Sequence, residues 1–259
     1  MTGRLAGQHA LVTGAGSGIG ASIAAALAAE GAVVTLTGRR SGALEAVRDG
    51  LAGTGHGVLP LDVTDPAVVQ AAVAEAEVAR GPLAILVTAA GAAPSAPLAR
   101  TDDAVWASTL AVNLTGVFTC LRAVLPGMVA RGSGRVVAVA STAGLVGYPY
   151  VSAYCAAKHG VVGLVRALAL ETAKSGVTVN AVCPGFTDTP LLDGAVATIT
   201  ARTGRSAEAA RAELAKANPQ GRLVTVAEVA DTVLWLCGPG ASAITGQAIA
   251  VAGGEVTTG

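Results

Sequence analysis

His9-Ala10-Leu11-Val12-Thr13, continued by Gly14-Ala15-Gly16-Ser17-Gly18-Ile19-Gly20, is the stretch that decides the fold. A short apolar run meets four glycines in seven positions, and an Ala-rich segment follows up to Glu30. The pattern predicts a strand, a tight turn and a helix. Such a junction aims backbone N–H groups and a helix N-terminus at a negatively charged ligand. Glycine suits the turn because a side chain would hold the backbone away from a pyrophosphate. The spacing Gly14, Gly18, Gly20 departs from the common G-x-G-x-x-G, and Gly14, Ser17, Gly18, Ile19 and Gly20 are the expected contacts.

The same rhythm repeats along the chain. Strands are expected at His9 to Thr13, Val33 to Thr37, Gly57 to Leu61, Leu83 to Thr88, Gly134 to Ala140, Thr178 to Cys183 and Gln247 to Val251. Helices are expected at Gly18 to Glu30, Gly42 to Ala52, Pro66 to Arg80, Asp102 to Ala130, Ser152 to Ser175 and Val226 to Leu236. Seven strands alternating with helices make an α/β doubly wound Rossmann-type parallel sheet covered on both faces. No linker, charge run or repeat divides residues 1–259, so one dinucleotide-binding and catalytic domain is expected. The long connection from Phe186 to Arg222 follows the sixth strand, at the end of the sheet where such folds bind ligands, and reads as a substrate cover.

At the end of the second strand a NAD-binding chain carries an acid for the ribose 2'-hydroxyl, whereas Gly38-Arg39-Arg40 stands here. A guanidinium fork at Arg39 holds a 2'-phosphate, which favours NADPH over NAD as cofactor. Two arginines capping a solvated turn is the plainer alternative. Asp62-Val63 after the third strand reads as the adenine edge of the same pocket.

Bulk composition bounds the rest. Apolar residues are 52% and charged residues 13%, with 17 basic against 17 acidic, so neither a disordered chain nor a nucleic-acid or membrane-surface binder is indicated. Cys120, Cys155, Cys183 and Cys237 match no disulfide or zinc spacing, so they read as apolar fillers and no metal site is expected. The N-terminus lacks the pattern of a signal peptide, and a cytoplasmic location is the expectation.

Only three tyrosines and three lysines occur, and one of each falls in Tyr154-Cys155-Ala156-Ala157-Lys158. Four positions apart on a helix, they share a face. A phenol of pKa about 10 transfers protons poorly near neutrality, and a neighbouring ammonium lowers it. Since the chain otherwise uses arginine, Lys158 stands out. The helix from Ser152 is apolar nearly all round, which predicts burial against the sheet and against a second subunit, hence a homodimer or homotetramer. His159 and both tryptophans, Trp106 and Trp235, read as packing or interface residues. Tyr148 and Tyr150 flank the Tyr154 segment and either line a pocket or pack.

With Thr13 to Gly20, Asn113, Ser141, Tyr154, Lys158 and Pro184-Gly185 in this order, the chain closely resembles the short-chain dehydrogenases/reductases over its whole length. Ser141 precedes Tyr154 by 13 positions, as in that family. Within it, Tyr154 to Gly163 and Val179 to Pro190 resemble the bacterial 3-oxoacyl reductases, aromatic polyketide ketoreductases and 3-hydroxybutyrate dehydrogenases. The resemblance implies an oxidoreductase acting on CH–OH and C=O groups, with a small-molecule ketone or alcohol as substrate. It implies that Tyr154 protonates the developing alkoxide, Ser141 bonds the same oxygen, and Lys158 lowers the Tyr154 pKa and binds the nicotinamide ribose. Asn113 is then expected to hold a relay water, and Pro184, Gly185, Thr187 and Thr189 to orient the carboxamide.

The chain departs from the family at Thr88-Ala89-Ala90-Gly91, where an asparagine is usual. That puts an inter-strand hydrogen bond in doubt, while Ala89 and Gly91 keep backbone contact with the adenosine ribose. Between Ser141 and Tyr154 no residue is charged. An uncharged, tyrosine-bearing wall favours a thioester, ester or aryl ketone over a carboxylate-bearing substrate. The alternatives are an NAD-dependent 3-hydroxybutyrate or other small hydroxy-acid dehydrogenase and, in another class, a non-catalytic dinucleotide-sensing protein. The basic residues of the cover, Arg202, Arg205, Arg211 and Lys216, face either a phosphate-bearing acyl carrier or solvent.

Overall fold

Seven parallel strands form one sheet in the computed structural model, which describes residues 3–257. They are β1 His9–Thr13, β2 Val33–Gly38, β3 Gly57–Pro60, β4 Leu83–Thr88, β5 Gly134–Val139, β6 Val177–Pro184 and β7 Ala248–Val251. The order β3-β2-β1-β4-β5-β6-β7 reverses direction of growth between β1 and β4, and the crevice at that point is where such sheets bind ligands.

Alternation along the strands sends side chains into two cores. Leu11, Leu86, Val136 and Val179 pack under α3 Pro66–Arg80, α5 Gly116–Arg131 and α6 Ser152–Glu171. Ala10, Val12, Val87 and Val137 pack under α1 Gly18–Ala29, α2 Ser41–Asp49 and α9 Val226–Cys237. Burial of this kind contributes roughly 25 cal/mol per Å2 of apolar surface and holds both layers to the sheet.

Local chemistry sets the helix starts. Asp65 accepts from Ala67 and Val68 N–H ahead of Pro66, and Thr225 and Glu228 cap each other's backbone at the start of α9. Most predicted boundaries shift by one or two residues. Larger differences occur at two helices: α2 stops at Asp49, and α6 at Glu171, where Thr172 to Ser175 turns back on itself through the Ser175 hydrogen bonds to Thr172.

The single helix expected from Asp102 to Ala130 is three pieces: α4 Asp103–Leu110, a π-type widening over Ala111–Thr115, and α5. An extra residue in one turn swings Asn113 inward. Its side chain binds the backbone of Ala92 in the loop after β4. Asp103–Arg131 and Ser152–Glu171 are long and apolar enough to cross a bilayer by composition, and each lays one face on the sheet.

The insertion carries α7 Pro190–Thr203 and α8 Ala207–Ala215. Leu192, Val196 and Ala210 form a small apolar cluster of their own, with Phe186, Ile199, Leu214 and Leu223 packed against it.

Candidate active site

Beyond the C-terminal ends of the strands lies a cavity of about 870 Å3. Its phosphate end is the β1–α1 turn, where Gly14, Ser17, Gly18, Ile19 and Gly20 all line the wall. The glycines serve the protein's own backbone as well as any ligand. A Cβ on Gly14, whose φ is +65°, would come within 2.8 Å of the Ala89 carbonyl oxygen, and one on Gly20 within 2.3 Å of the Gly14 carbonyl oxygen. Turn, helix and the loop after β4 are therefore locked together, and the turn keeps an α1 N-terminus whose side chains leave the N–H groups open.

The adenosine end is formed by Arg39, Asp62, Val63, Ala89 and Gly91. Arg39 and Arg40 are exposed and make no ion pair among the described residues. The Thr64 backbone N–H, then the Thr64 hydroxyl, and the charge of Arg39 hold the Asp62 carboxyl below its ordinary range. A carboxylate accepting from Thr64 beside free guanidiniums fits a nucleotide whose phosphate faces Arg39 and whose base lies against Val63. Without that asparagine the loop after β4 is still tied to the neighbouring strand: Thr13 Oγ1 accepts from Ala89 N at 3.0 Å and Ala90 N at 3.1 Å. Thr88 Oγ1 itself is buried without a partner.

At the other end Ser141, Tyr154 and Lys158 line the same cavity together with Pro184, Gly185, Thr187 and Thr189, and Ser141 Oγ donates to the Pro184 carbonyl at 3.5 Å. Ser141 begins the short 3-10 turn Thr142–Gly144, and its Oγ accepts from Ala143 N at 3.1 Å. Tyr154 and Lys158 share one face of α6, with Nζ 5.6 Å from the centre of the Tyr154 ring.

The expected pull of Lys158 on the Tyr154 phenol is not what this geometry gives. Lys158 Nζ donates to the Val139 carbonyl at 2.8 Å, and burial lowers its pKa to about 8. Burial also pushes the Tyr154 phenol up to about 12, and the Ser141 hydroxyl beside it pulls the other way. One cause, removal from water, thus keeps the phenol protonated and makes the ammonium easier to discharge.

Asn113 does not reach the cavity wall. Fully buried, it donates through Nδ2 to Ala92 O at 2.8 Å and Thr109 O at 3.0 Å, and Oδ1 accepts from Ala92 N at 3.3 Å. Both amide hydrogens are engaged, so this side chain can meet a relay water only as an acceptor, through the second lone pair of Oδ1. A Cβ on Gly91 would sit 3.0 Å from Asn113 Oδ1 and 3.9 Å from Lys158 Nζ, which locates Asn113 just behind the lysine.

The substrate end is walled by Tyr148, Tyr150, Phe186 and residues of α7, with Leu214 of α8. Tyr150 lies in the left-handed region at φ 67°, and its carbonyl accepts from Ala96 N at 2.8 Å, so the two loops at the mouth are joined through a strained residue. The cover's basic residues serve the protein itself. Arg211 pairs with Asp188 at 2.7 Å and with Asp193, Lys216 and Arg205 pair with Glu213, and Arg202 donates to Ser95 O across the mouth.

Sequence reading missed Glu255, which follows β7 and reaches the Tyr148 hydroxyl. No local signal marks it, because the two residues lie 107 positions apart. It also took all four cysteines for buried fillers. Cys120, Cys183 and Cys237 are buried, and burial drives their thiols to about 12, 11 and 12, whereas Cys155 is half-exposed. His159 is exposed, its Nδ1 on the Cys155 carbonyl, and Trp106 and Trp235 are both partly open to solvent.

A phosphate cradle at one end of a crevice and a Ser–Tyr–Lys cluster at the other define a dinucleotide-dependent oxidoreductase. The profile of a family described as enoyl-(acyl carrier protein) reductase, a short-chain alcohol dehydrogenase group, matches residues 14–255. A Streptomyces coelicolor protein assigned as a ketoacyl reductase is 41% identical over 251 residues, 95% of this chain and 96% of its own length. D-beta-hydroxybutyrate dehydrogenase of Rhizobium meliloti (strain 1021) is 38% identical over 254 residues, 95% of this chain and 98% of its own. A crystal structure of a variant of actinorhodin polyketide ketoreductase with NADPH superposes with a TM-score of 0.93 at 39% identity, covering 98% of this chain and 99% of that one. The chain belongs to the short-chain dehydrogenase/reductase family and is an oxidoreductase acting on CH–OH and C=O groups.

Proposed function

We propose that this protein is an NADPH-dependent reductase of neutral ketones, 3-oxoacyl thioesters, esters or aryl ketones, reversible as a secondary-alcohol dehydrogenase. The observation that carries the reading is one continuous cavity with free guanidiniums at Arg39 and Arg40, a protonated phenol at Tyr154 and an uncharged lining between Thr142 and Ala153. The ketoacyl reductase relative and the NADPH-bound ketoreductase neighbour support it.

Bound NADPH supplies hydride to the carbonyl carbon. Tyr154 hands its proton to the carbonyl oxygen as charge builds there. Ser141, whose Oγ accepts from Ala143 N and donates to the Pro184 carbonyl at 3.5 Å, turns that proton from this long bond to the same oxygen. Lys158 keeps a positive charge behind the phenol below pH about 8. Asn113 acts as a positioning residue, tying the Ala92 loop against the lysine. Pro184, Gly185, Thr187 and Thr189 border the nicotinamide end, and α7 with α8 cover the substrate. The four free cysteines accord with a reducing, cytoplasmic setting. The whole chain acts as one domain, assembled as a dimer or tetramer.

A second reading, a small hydroxy-acid dehydrogenase using NAD, draws on the hydroxybutyrate dehydrogenase relative. The two separate in one assay of NADPH and NADH consumption against acetoacetyl thioester, ethyl acetoacetate, acetoacetate and an aryl diketone, with Tyr154→Phe as control. Expected are turnover of the neutral ketones with NADPH and loss of most of it, on the order of a hundredfold or more, in the variant. Turnover of acetoacetate alone favours the second reading, and full activity in Tyr154→Phe removes the general acid from the mechanism.

A further inference from the structure

The wall that is uncharged in sequence is backed by a carboxylate. Tyr148 lines the cavity, and its ring meets Phe186 edge-on, centroids 6.0 Å apart at 76°. Its hydroxyl donates to Glu255 Oε1 and lies 2.8 Å from Thr142 Oγ1. A phenol has one proton, so with that proton on Glu255 the Thr142 hydroxyl must donate to the Tyr148 oxygen. Tyr148 then has nothing left to donate to a substrate.

Glu255 itself is singly satisfied. Its Oε2 is buried without a partner, 2.7 Å from the point where a side chain on Gly185 would begin. It belongs to no ion pair among the described residues. The residue is half-buried, yet this one oxygen is turned away from water beside Gly185, a residue of the cavity wall, with no cation to hold it there. Burial first, then this carboxylate, drive the Tyr148 phenol above its ordinary value, which keeps the proton between them.

We propose that Glu255 is a specificity-determining residue of the ketone pocket: its charge, held behind Tyr148, rejects substrates that carry a carboxylate beside the ketone and admits neutral esters, thioesters and aryl ketones. Glu255 stands behind the wall formed by Tyr148 and Gly185, so its charge repels an incoming carboxylate through that wall, and the occupied phenol offers the carboxylate no donor. The inference rests on the ketone-reductase reading and sharpens its substrate class.

Acetoacetate and methyl acetoacetate share a carbon skeleton and differ in charge, so the ratio of their kcat/KM values with NADPH isolates the effect. Glu255→Gln keeps shape and removes charge. It is expected to raise the acetoacetate-to-ester ratio about tenfold or more, chiefly through a lower KM for acetoacetate. Glu255→Asp is expected to retain discrimination, and so is Tyr148→Phe, which removes the phenol but leaves the charge. An unchanged ratio in Glu255→Gln, an equal change on both substrates, or loss of discrimination in Tyr148→Phe alone overturns the inference while the ester activity of the parent enzyme still supports the broader reading. If the parent enzyme reduces neither ketone, the broader reading falls and takes this one with it.

Discussion

Tyr154 and Lys158 show how one environment moves an acid and a base in opposite directions. Burial holds the phenol at about 12 and the ammonium at about 8. The sign for activity follows. Below pH 8 both groups carry their protons; between 8 and 12 the lysine discharges while the phenol remains an acid. The kcat/KM for ketone reduction is therefore expected to be level near neutrality and to fall as pH rises through about 8, while alcohol oxidation, which needs the phenolate, rises into the alkaline range. A reduction profile level to pH 10 shows that the Lys158 charge is not needed. At the far end of the cavity Arg39→Asp is expected to reverse cofactor preference toward NADH, by about a hundredfold in the ratio of kcat/KM values, because a carboxylate repels a 2'-phosphate and accepts from a 2'-hydroxyl. An unchanged ratio means that Arg39 does not touch the phosphate. These residues were legible because rarity, spacing and order mark them; Glu255 was not, because its meaning comes only from Tyr148, which folding brings to it.

Among the elements, the loop after β4 depends on a neighbour. Thr13, the last residue of β1, satisfies two half-buried N–H groups, of Ala89 and Ala90. Thr13→Ala removes their partner, an expected loss of about 0.5–1.5 kcal/mol in urea unfolding, and Thr13→Ser restores most of it. No measurable loss would mean that water replaces the hydroxyl. Strands and helices were readable because apolar periodicity is local. The π-type turn at Ala111–Thr115 was not, since nothing in its composition distinguishes it from helix and the bond it accompanies, Asn113 to Ala92, joins residues 21 positions apart.

On the scale of the whole molecule, α6 lays one face on the sheet, and its other face mixes Leu170 and Ala167 with His159 and Arg166. Leu170 is 81% exposed, and Trp106 and Phe118, on α4 and α5, are each 43% exposed. Apolar side chains left in water along neighbouring helices favour association with a second copy. Sedimentation at micromolar concentration is expected to give a dimer or tetramer, and a monomer there removes the proposal. The chain's alternation of strands and helices, its phosphate turn and its Ser–Tyr–Lys series were legible in the sequence alone, because the first two rest on patterns within a few residues and the third on residue type and spacing. What only the tertiary structure decided is where distant residues meet: Thr13 under Ala89, Asn113 behind Lys158, Glu255 behind Tyr148. The physical reason is that a hydrogen bond or a buried charge depends on separation in space and on exclusion of water, and neither quantity is written in the distance between residues along the chain.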